Sequence, residues 1–580
     1  MKATGAQIIL KLLELHGVDI VAGIPGGGIL PLYDELPRFP SIRHILVRHE
    51  QAAGFIAQGI ARSTGKVGVC FATSGPGAMN LLTAIADARC DSVPIVAITG
   101  QVNTNLIGTD AFQEADTFGL SFPIAKHSIM VKDASRLLDA IPQAFQIAQS
   151  GRPGPVVVDV PRDVQTAIVE FESWSSTLTR DEIKRSSLAT KYAATHEEVQ
   201  AAAEQMARVL AHAQRPALFV GGGCNTPETA TAIGQLLEAA DIAVTTSLMG
   251  LGVVPKDHVR NCGMVGMHGT PAANRAMHEA DAVLVLGARF DDRATGLTRE
   301  FCPNARILHV DIDRAEINKI LRSDLSVVGY VEDVLPLITQ SLTGMQAECF
   351  MSAASKRKWI DSLWQTQIDT NMAQLGQSKN PTGINPRQII AELPATAKKS
   401  GLGADDLIIT TDVGQHQMWA AQSYPVERPR SFLTSGSLGT MGFGLPAAIG
   451  AALANPTKKV VCITGDGSIM MNLQELATLA ELDLNVTVLV FENGTLGMVR
   501  QQQQYLFGGN YSASEFIKLP DLLTIAAGFG ILAFDANTDP FWGQAAFRKG
   551  PKLVRFRIAP DENVLPFVKP GQANVDAFMG

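Results

Sequence analysis

Residues 459–493 read KVVCITGDGSIMMNLQELATLAELDLNVTVLVFEN. A short apolar run ends at Gly465-Asp466-Gly467, and a second ends at Glu492-Asn493. Between them Ile469, Met470, Leu473, Leu476, Ala477 and Ala480 recur at the spacing of one helix face. The segment therefore reads as a βαβ unit whose helix begins near Ser468. Right-handed crossovers set parallel strands side by side, so both loops should lie at the carboxyl edge of one sheet, where Asp466 can meet Asn493. A carboxylate and an amide carbonyl are hard oxygen donors suited to Mg²⁺, which takes its other ligands from phosphate and water. Gly465, Gly467 and the helix N-terminus at Ser468 favour an anion, because bare backbone and unpaired N–H groups face it.

The same grammar runs outward along the chain. VDIVAGI, IRHILV, VGVCFAT and VPIVAIT come first, PALFVGGGCN, DAVLVLGARFDD and ARILHVDID follow, and DLIITTDVG precedes the quoted stretch. The fold class is α/β, with three doubly wound parallel-sheet domains expected over residues 1–175, 195–345 and 375–580. A polar stretch at 171–196 reads as a linker, and another around 345–385 contains Lys-Arg-Lys and QSKNPTG. Pattern alone relates the first and third domains, since no residue-level repeat is visible.

At 580 residues the chain is too long for one hydrophobic core or a small binding module. With 46% hydrophobic and only 18% charged residues, disorder is disfavoured and surface buried between subunits is favoured. A net charge of -8 supplies no field to collect nucleic acid. The seven cysteines form no C-x-x-C pair, so neither a disulfide frame nor a zinc site is expected. The opening MKATGAQIILKLLELHGVDI is an amphipathic helix and lacks the features of a signal peptide. No run reaches the ~18 apolar residues needed to span a bilayer. These features together describe a soluble, cytoplasmic oligomer acting on small molecules, with no nucleic acid or membrane partner.

The 27-residue separation of Asp466 from Asn493 resembles the GDG…N signature of thiamin-diphosphate-dependent enzymes. Glu492 stands where that motif has the first of two asparagines, a change expected to tune the surroundings of the metal without abolishing it. The resemblance implies Mg²⁺ on Asp466, Asn493 and Thr495, and cofactor contacts from Gly465, Gly467, Ser468, Leu496, Gly497 and Met498. Thiamin diphosphate also needs a carboxyl group at its pyrimidine N1′. Glu50, between a strand and a helix in IRHILVRHEQAAGFIAQGIAR, is the candidate; alone, a Glu opening a helix is more often a dipole-compensating surface residue. SGPG at Ser74–Gly77 reads as a tight turn beside it. The resemblance adds Gly26 to the cofactor contacts. GQHQMW at 414–419 reads as a loop whose Gly414, Gln415 and His416 can face the diphosphate, though a histidine there equally serves as a structural hydrogen-bonder; Gly439 and Met441 follow, Met441 being core filler when read alone and, by the resemblance, the wedge that holds the cofactor bent.

GIPGG (23–27), GTDAFQE (108–114), GRPGPVVVD (151–159), GARFDDR (287–293) and TTDVGQHQMW (410–419) together resemble the catalytic subunit of the acetohydroxyacid synthases, also called acetolactate synthases, over roughly residues 3–575. The resemblance implies a transferase that decarboxylates pyruvate and ligates the hydroxyethyl carbanion to a second 2-oxo acid. Its products are 2-acetolactate from pyruvate and 2-aceto-2-hydroxybutyrate from 2-oxobutyrate, in branched-chain amino-acid biosynthesis. It also implies FAD in the central domain, contacted by Arg152, Gly221, Gly222, Gly223, His268, Gly269, Arg289, Asp311 and Asp313. GGGCN alone is only a weak dinucleotide fingerprint. Arg293 is implied as the cation for the acceptor carboxylate, a role suited to a guanidinium fork; read alone, it serves equally in a surface ion pair with Asp291 or Asp292. Gln113 and Phe112 would line that pocket, with Lys126 near its mouth. Gln502 stands where many members have a tryptophan tied to 2-oxobutyrate preference, so poor acceptor discrimination is expected. A homodimer or homotetramer with Glu50 of one chain facing the metal site of another is implied, and a small regulatory subunit is a further possible partner. The nearest alternatives are an FAD-dependent pyruvate oxidase and other thiamin-diphosphate decarboxylases or carboligases.

Overall fold

The computed structural model describes residues 1–186, 188, 194–345, 353–376 and 383–579. Three six-stranded sheets carry the chain, and every strand pair within them is parallel. Numbering each sheet's strands in chain order, the first and third sheets share the order 2-1-3-4-6-5. The first runs from Ile20–Gly23 to Val156–Pro161 and the third from Leu407–Thr411 to Lys552–Arg557. The sequence hinted at this kinship only by pattern; the topology makes it concrete. The central sheet, from Pro216–Val220 to Leu325–Val328, has the order 3-2-1-4-5-6.

Alternation of side chains builds the two faces of each sheet. In the first sheet Val21, Val69, Phe71, Val96 and Ile98 fill one face, with helices Gly5–Leu15 and Leu137–Gln149 in the same core. The small residues Ala22, Cys70 and Ala97 point the other way, into a core that continues into Val460, Cys462 and Val488 of the third sheet. Helices Glu50–Thr64 and Gly444–Ala454 cross in that shared core. Two glycines make the crossing close. A Cβ on Gly59 would lie 2.2 Å from the Ala447 carbonyl oxygen, and one on Gly450 would lie 2.1 Å from that of Ile56.

Several local expectations change. The helix expected across 468–480 is two pieces, Asp466–Ile469 and Glu475–Glu481. The break exists because Asn472 turns inward: its Nδ2 donates to the Gly442 carbonyl at 2.8 Å and to Gln51 Oε1 at 3.2 Å, while Met470 and Met471 swing out to solvent. GQHQMW is not a loop but the start of helix Gln415–Ser423, capped by Gly414 at φ 151°. The 171–196 stretch contains helix Arg180–Arg185, started by a Thr179/Glu182 capping box and anchored by buried Ile183; residues 187 and 189–193 lie outside the described residues. Lys-Arg-Lys lies in helix Ala353–Gly376, which buries Trp359, Ile360 and Leu363, whereas residues 377–382 of QSKNPTG lie outside the described residues. Among the described residues no helix is long and apolar enough to cross a membrane.

Candidate active site

The two loops of the quoted βαβ unit meet as expected. Strands Lys459–Gly465 and Val486–Glu492 are neighbours in register, with Gly465 opposite Phe491. Asp466 is buried, and its Oδ2 accepts from the backbone N–H of Asn493 at 3.0 Å and of Gly494 at 2.7 Å. Burial pushes its carboxyl up to about 6, against the pull of those N–H groups. Asn493 Oδ1 accepts from Thr495 N–H at 3.0 Å and Thr495 Oγ1 at 3.1 Å. Glu492 turns away from this corner toward Arg555, 3.9 Å off, which also pairs with Asp521 and Asp535.

Beside this corner the backbone is bare. A Cβ on Gly465 would meet the His416 ring at 2.9 Å, one on Gly414 would meet it at 2.8 Å, and one on Gly497 would meet Gln415 Oε1 at 2.1 Å. His416 is buried, and burial holds its imidazole down to about 3, so it is neutral. Its Nε2 has no hydrogen-bond partner among the described residues. A buried, unpaired ring nitrogen beside glycines and a helix N-terminus is an arrangement that an anion completes.

The central sheet ends at the same space. In a 3-2-1-4-5-6 sheet the crevice lies between the first and fourth strands, here Pro216–Val220 and Ala282–Leu286. Gly221 and Gly287 pack there backbone to backbone: a Cβ on Gly221 would lie 2.1 Å from the Gly287 carbonyl oxygen. A cavity of about 750 Å³ runs from this crevice to the Asp466 corner. It is lined by Arg152, Gly222, Gly223, His268, Arg289, Arg293 and Asp311 on one side. On the other side lie Gly414, Gln415, His416, Gly439, Met441, Gly465, Asp466, Gly467 and Ser468, with Asn493, Thr495, Leu496, Gly497, Met498 and Gln502. Burial pushes Asp311 up to about 7 and His268 down to about 4. Arg152 pairs with Asp313 at 3.2 Å and Glu316 at 2.8 Å.

Other candidates stand apart from the cavity. Gly221, Gly269 and Asp313 do not line it, although Asp313 pairs with the lining Arg152. Glu50, Gln113 and Gly26 form a second cluster at the carboxyl edge of the first sheet. Glu50 is buried and accepts from Asn80 Nδ2 at 2.9 Å, and a Cβ on Gly77 would sit 3.2 Å from its Oε1. Gly75, at φ 61°, presses on the Gln113 backbone, while Gly26 packs on Thr73. Phe112 is 87% exposed. Lys126 points inward, donating to the Ile147 and Ser150 carbonyls at 2.5 Å each, and burial brings its ammonium down to about 7.

Sequence reasoning missed the groups that hold the 435–442 loop. Asp87 accepts from Ser435 Oγ and from Thr440 Oγ1 at 2.9 Å. Asp91 accepts from the N–H groups of Gly436 and Ser437, both at 2.8 Å. Arg62 pairs with both acids, at 3.4 and 2.9 Å, and all three side chains are buried. Asp87 lies in helix Leu82–Cys90 and Asp91 caps its C-terminus, a pattern with no local signal for a buried Arg62.

Comparison with known proteins agrees with this geometry. Residues 3–120 match the thiamine pyrophosphate enzyme N-terminal TPP binding domain, 203–338 the central domain and 412–553 the C-terminal TPP binding domain. The acetolactate synthase isozyme 1 large subunit of Escherichia coli (strain K12) is 47% identical over 99% of this chain and 97% of its own. The chain belongs to the acetolactate synthase large-subunit family. The isozyme 2 large subunit of the same organism is 42% identical over 98% of both chains. The probable acetolactate synthase large subunit of Methanocaldococcus jannaschii is 41% identical over 98% of this chain and 94% of its own. Of the two clusters described above, Glu50 lies in the matched N-terminal thiamine pyrophosphate domain and Asp466 in the C-terminal one.

Proposed function

We propose that this chain makes 2-acetolactate from two molecules of pyruvate, and 2-aceto-2-hydroxybutyrate when 2-oxobutyrate is the acceptor. The observation that carries the reading is the Asp466–Asn493 corner opening beside an unpaired His416 nitrogen. The donors there, one carboxylate and neutral oxygens, suit Mg²⁺ carrying a diphosphate, with Asp466, Asn493 and Thr495 as its ligands. Gly414, Gln415, His416, Gly465 and Gly497 would hold the diphosphate of thiamin diphosphate, with Met441 against its rings. Bound there, thiamin diphosphate supplies the electron sink that lets a 2-oxo acid lose CO₂.

Glu50 holds and exchanges the proton at the pyrimidine N1′, kept in place by Asn80. Because Glu50 does not line the cavity of its own chain, a second copy supplies it, and the working unit is a homodimer or a dimer of dimers. Exposed Phe112 and the Gln113 loop reach the acceptor from that copy. Arg293, two-thirds exposed on the cavity wall, binds the acceptor carboxylate. Gly222, Gly223, Arg289 and Asp311 would hold FAD in the central crevice, a reading supported by the strand order. Relatives named as large subunits support a small-subunit partner. Six free cysteines among the described residues support a reducing, cytoplasmic setting.

The test is acetolactate formation from pyruvate with thiamin diphosphate and Mg²⁺, with and without FAD, alongside Glu50→Gln. FAD-dependent product without oxygen uptake, lost in the variant, is expected. CO₂ release with oxygen uptake and no acetolactate would replace this reading with a pyruvate oxidase.

A further inference from the structure

The metal corner contains a single carboxylate, and no cluster of three His, Cys, Asp or Glu exists among the described residues. A neutral amide therefore has to face a cation with its oxygen. An amide has two ends of similar shape and opposite polarity, and reversed it would aim N–H groups at the ion. Something must decide which end of Asn493 faces where.

A chain of buried amides does so. Asn493 Nδ2 donates to Gln415 Oε1 at 3.2 Å, and Gln415 Nε2 donates to Gln501 Oε1 at 3.0 Å. Gln501 in turn grips the backbone of Val564 at both ends. Its Oε1 accepts from Val564 N–H at 2.8 Å and its Nε2 donates to the Val564 carbonyl at 2.9 Å. A backbone N–H can only donate and a carbonyl can only accept, so Val564 fixes the polarity of Gln501. Gln501 then fixes Gln415, and Gln415 fixes Asn493. Gln415, Gln501 and Val564 are each 3% exposed or less, so a flipped member would bury at least two mismatched pairs with no water to rescue them. Thr495 N–H holds the opposite end of the Asn493 amide in the same sense.

We infer that Gln501 is a positioning residue for the metal site: through Gln415 it transmits the polarity of the Val564 peptide, in the C-terminal segment, to the amide of Asn493. The inference rests on the reading of Asp466 and Asn493 as metal ligands. Neither Gln501 nor Val564 lines the cavity, so Gln501 acts only through Gln415.

The experiment uses the full chain with saturating thiamin diphosphate, and reads Mn²⁺ binding from the electron paramagnetic resonance of the free ion. Gln501→Leu is expected to weaken Mn²⁺ binding by about 10-fold, as loss of an outer hydrogen-bond partner does. Gln501→Met, unbranched and close to glutamine in length, removes the same hydrogen bonds, is expected to do the same and serves if Gln501→Leu does not fold. The decisive measurement is made in Asn493→Asp. There a carboxylate oxygen replaces Nδ2 and faces Gln415 Oε1, an oxygen held against an oxygen. Adding Gln501→Leu frees Gln415 to turn and donate, so Mn²⁺ binding should hold or tighten relative to Asn493→Asp alone. A general packing role for Gln501 predicts the same loss in both backgrounds, and that result would overturn the inference, as would unchanged binding in folded Gln501→Leu. Asp466→Ala separates the two levels: if it keeps full Mn²⁺ affinity, the metal-site reading fails and the inference with it. If it abolishes binding while Gln501→Leu has no effect, the relay alone fails.

Discussion

The crossing of helices Glu50–Thr64 and Gly444–Ala454 admits a quantitative test. An ordinary contact needs at least 3.4 Å, whereas a methyl group on Gly59 or Gly450 would lie 2.2 or 2.1 Å from a backbone carbonyl. Either alanine must therefore push the helices apart by about 1.2 Å, since a helix backbone cannot yield as a side chain does. Overpacking of this kind costs ~1–3 kcal/mol, and replacing a helical glycine returns ~1 kcal/mol. A net loss of about 1–2 kcal/mol is expected for each single variant at the upper end of that cost. The double variant should cost no more than either single one, because the first methyl opens the gap that the second occupies and the second replaced glycine returns a further ~1 kcal/mol, giving a coupling of about 2–3 kcal/mol. Glu50 begins the moving helix, so activity should fall by more than the stability loss explains; a displacement near 1 Å costs up to ~100-fold. Urea melts of wild type, both single variants and the double variant, with acetolactate assays on each, supply the cycle. Strict additivity, or single variants as stable as wild type, would refute the argument.

Mixing inactive Glu50→Gln with inactive Asp466→Ala, with subunit exchange, should restore roughly a quarter of wild-type activity, because half the dimers carry one intact site; no recovery would mean that each chain completes its own site. With pyruvate and 2-oxobutyrate competing, acetolactate should remain a major product, since Gln502 offers no apolar wall to select ~1–3 kcal/mol worth of methylene. Strong dominance of 2-aceto-2-hydroxybutyrate in the product ratio would contradict this. Burial pushes Asp159 up to about 7 from an unfolded value of 3.8. The folded state thus retains a proton that the unfolded chain has released, and stability should fall as pH rises from about 4 to 7, by up to ~4 kcal/mol. Urea midpoints of Asp159→Asn should lack that slope; an unchanged slope would assign it elsewhere.

The Asp466–Asn493 meeting was legible because both residues sit at strand ends and parallel neighbours leave one solution for their loops. The central crevice was legible more weakly, since GGGCN departs from the usual glycine spacing and only the strand order makes it a dinucleotide-type fold. What periodicity missed has physical reasons. Helix Gln415–Ser423 buries Gln415, His416, Gln417 and Gln422, so no apolar stripe marks it. The break after Ile469 is set by Asn472 reaching Gln51, a partner over 400 residues away in sequence. Arg62, Asp87 and Asp91 belong to no motif, and their role exists only once the 435–442 loop arrives on them. Gln501 opens a run of four glutamines in which it alone is fully buried, and no local signal distinguishes it from Gln502.

The helix crossing also sets a timetable for synthesis. Gly59 leaves the ribosome about 390 residues before Gly450, which at ~5–20 residues per second is roughly 20–80 s. Throughout that interval the alanine-lined side of helix Glu50–Thr64 has no lid, and the first sheet is a nascent domain with one wet core face. The central sheet, contiguous over residues 216–328, completes itself meanwhile. The core shared by the first and third sheets therefore closes last, and until then the apolar side of that helix is open to non-native contacts.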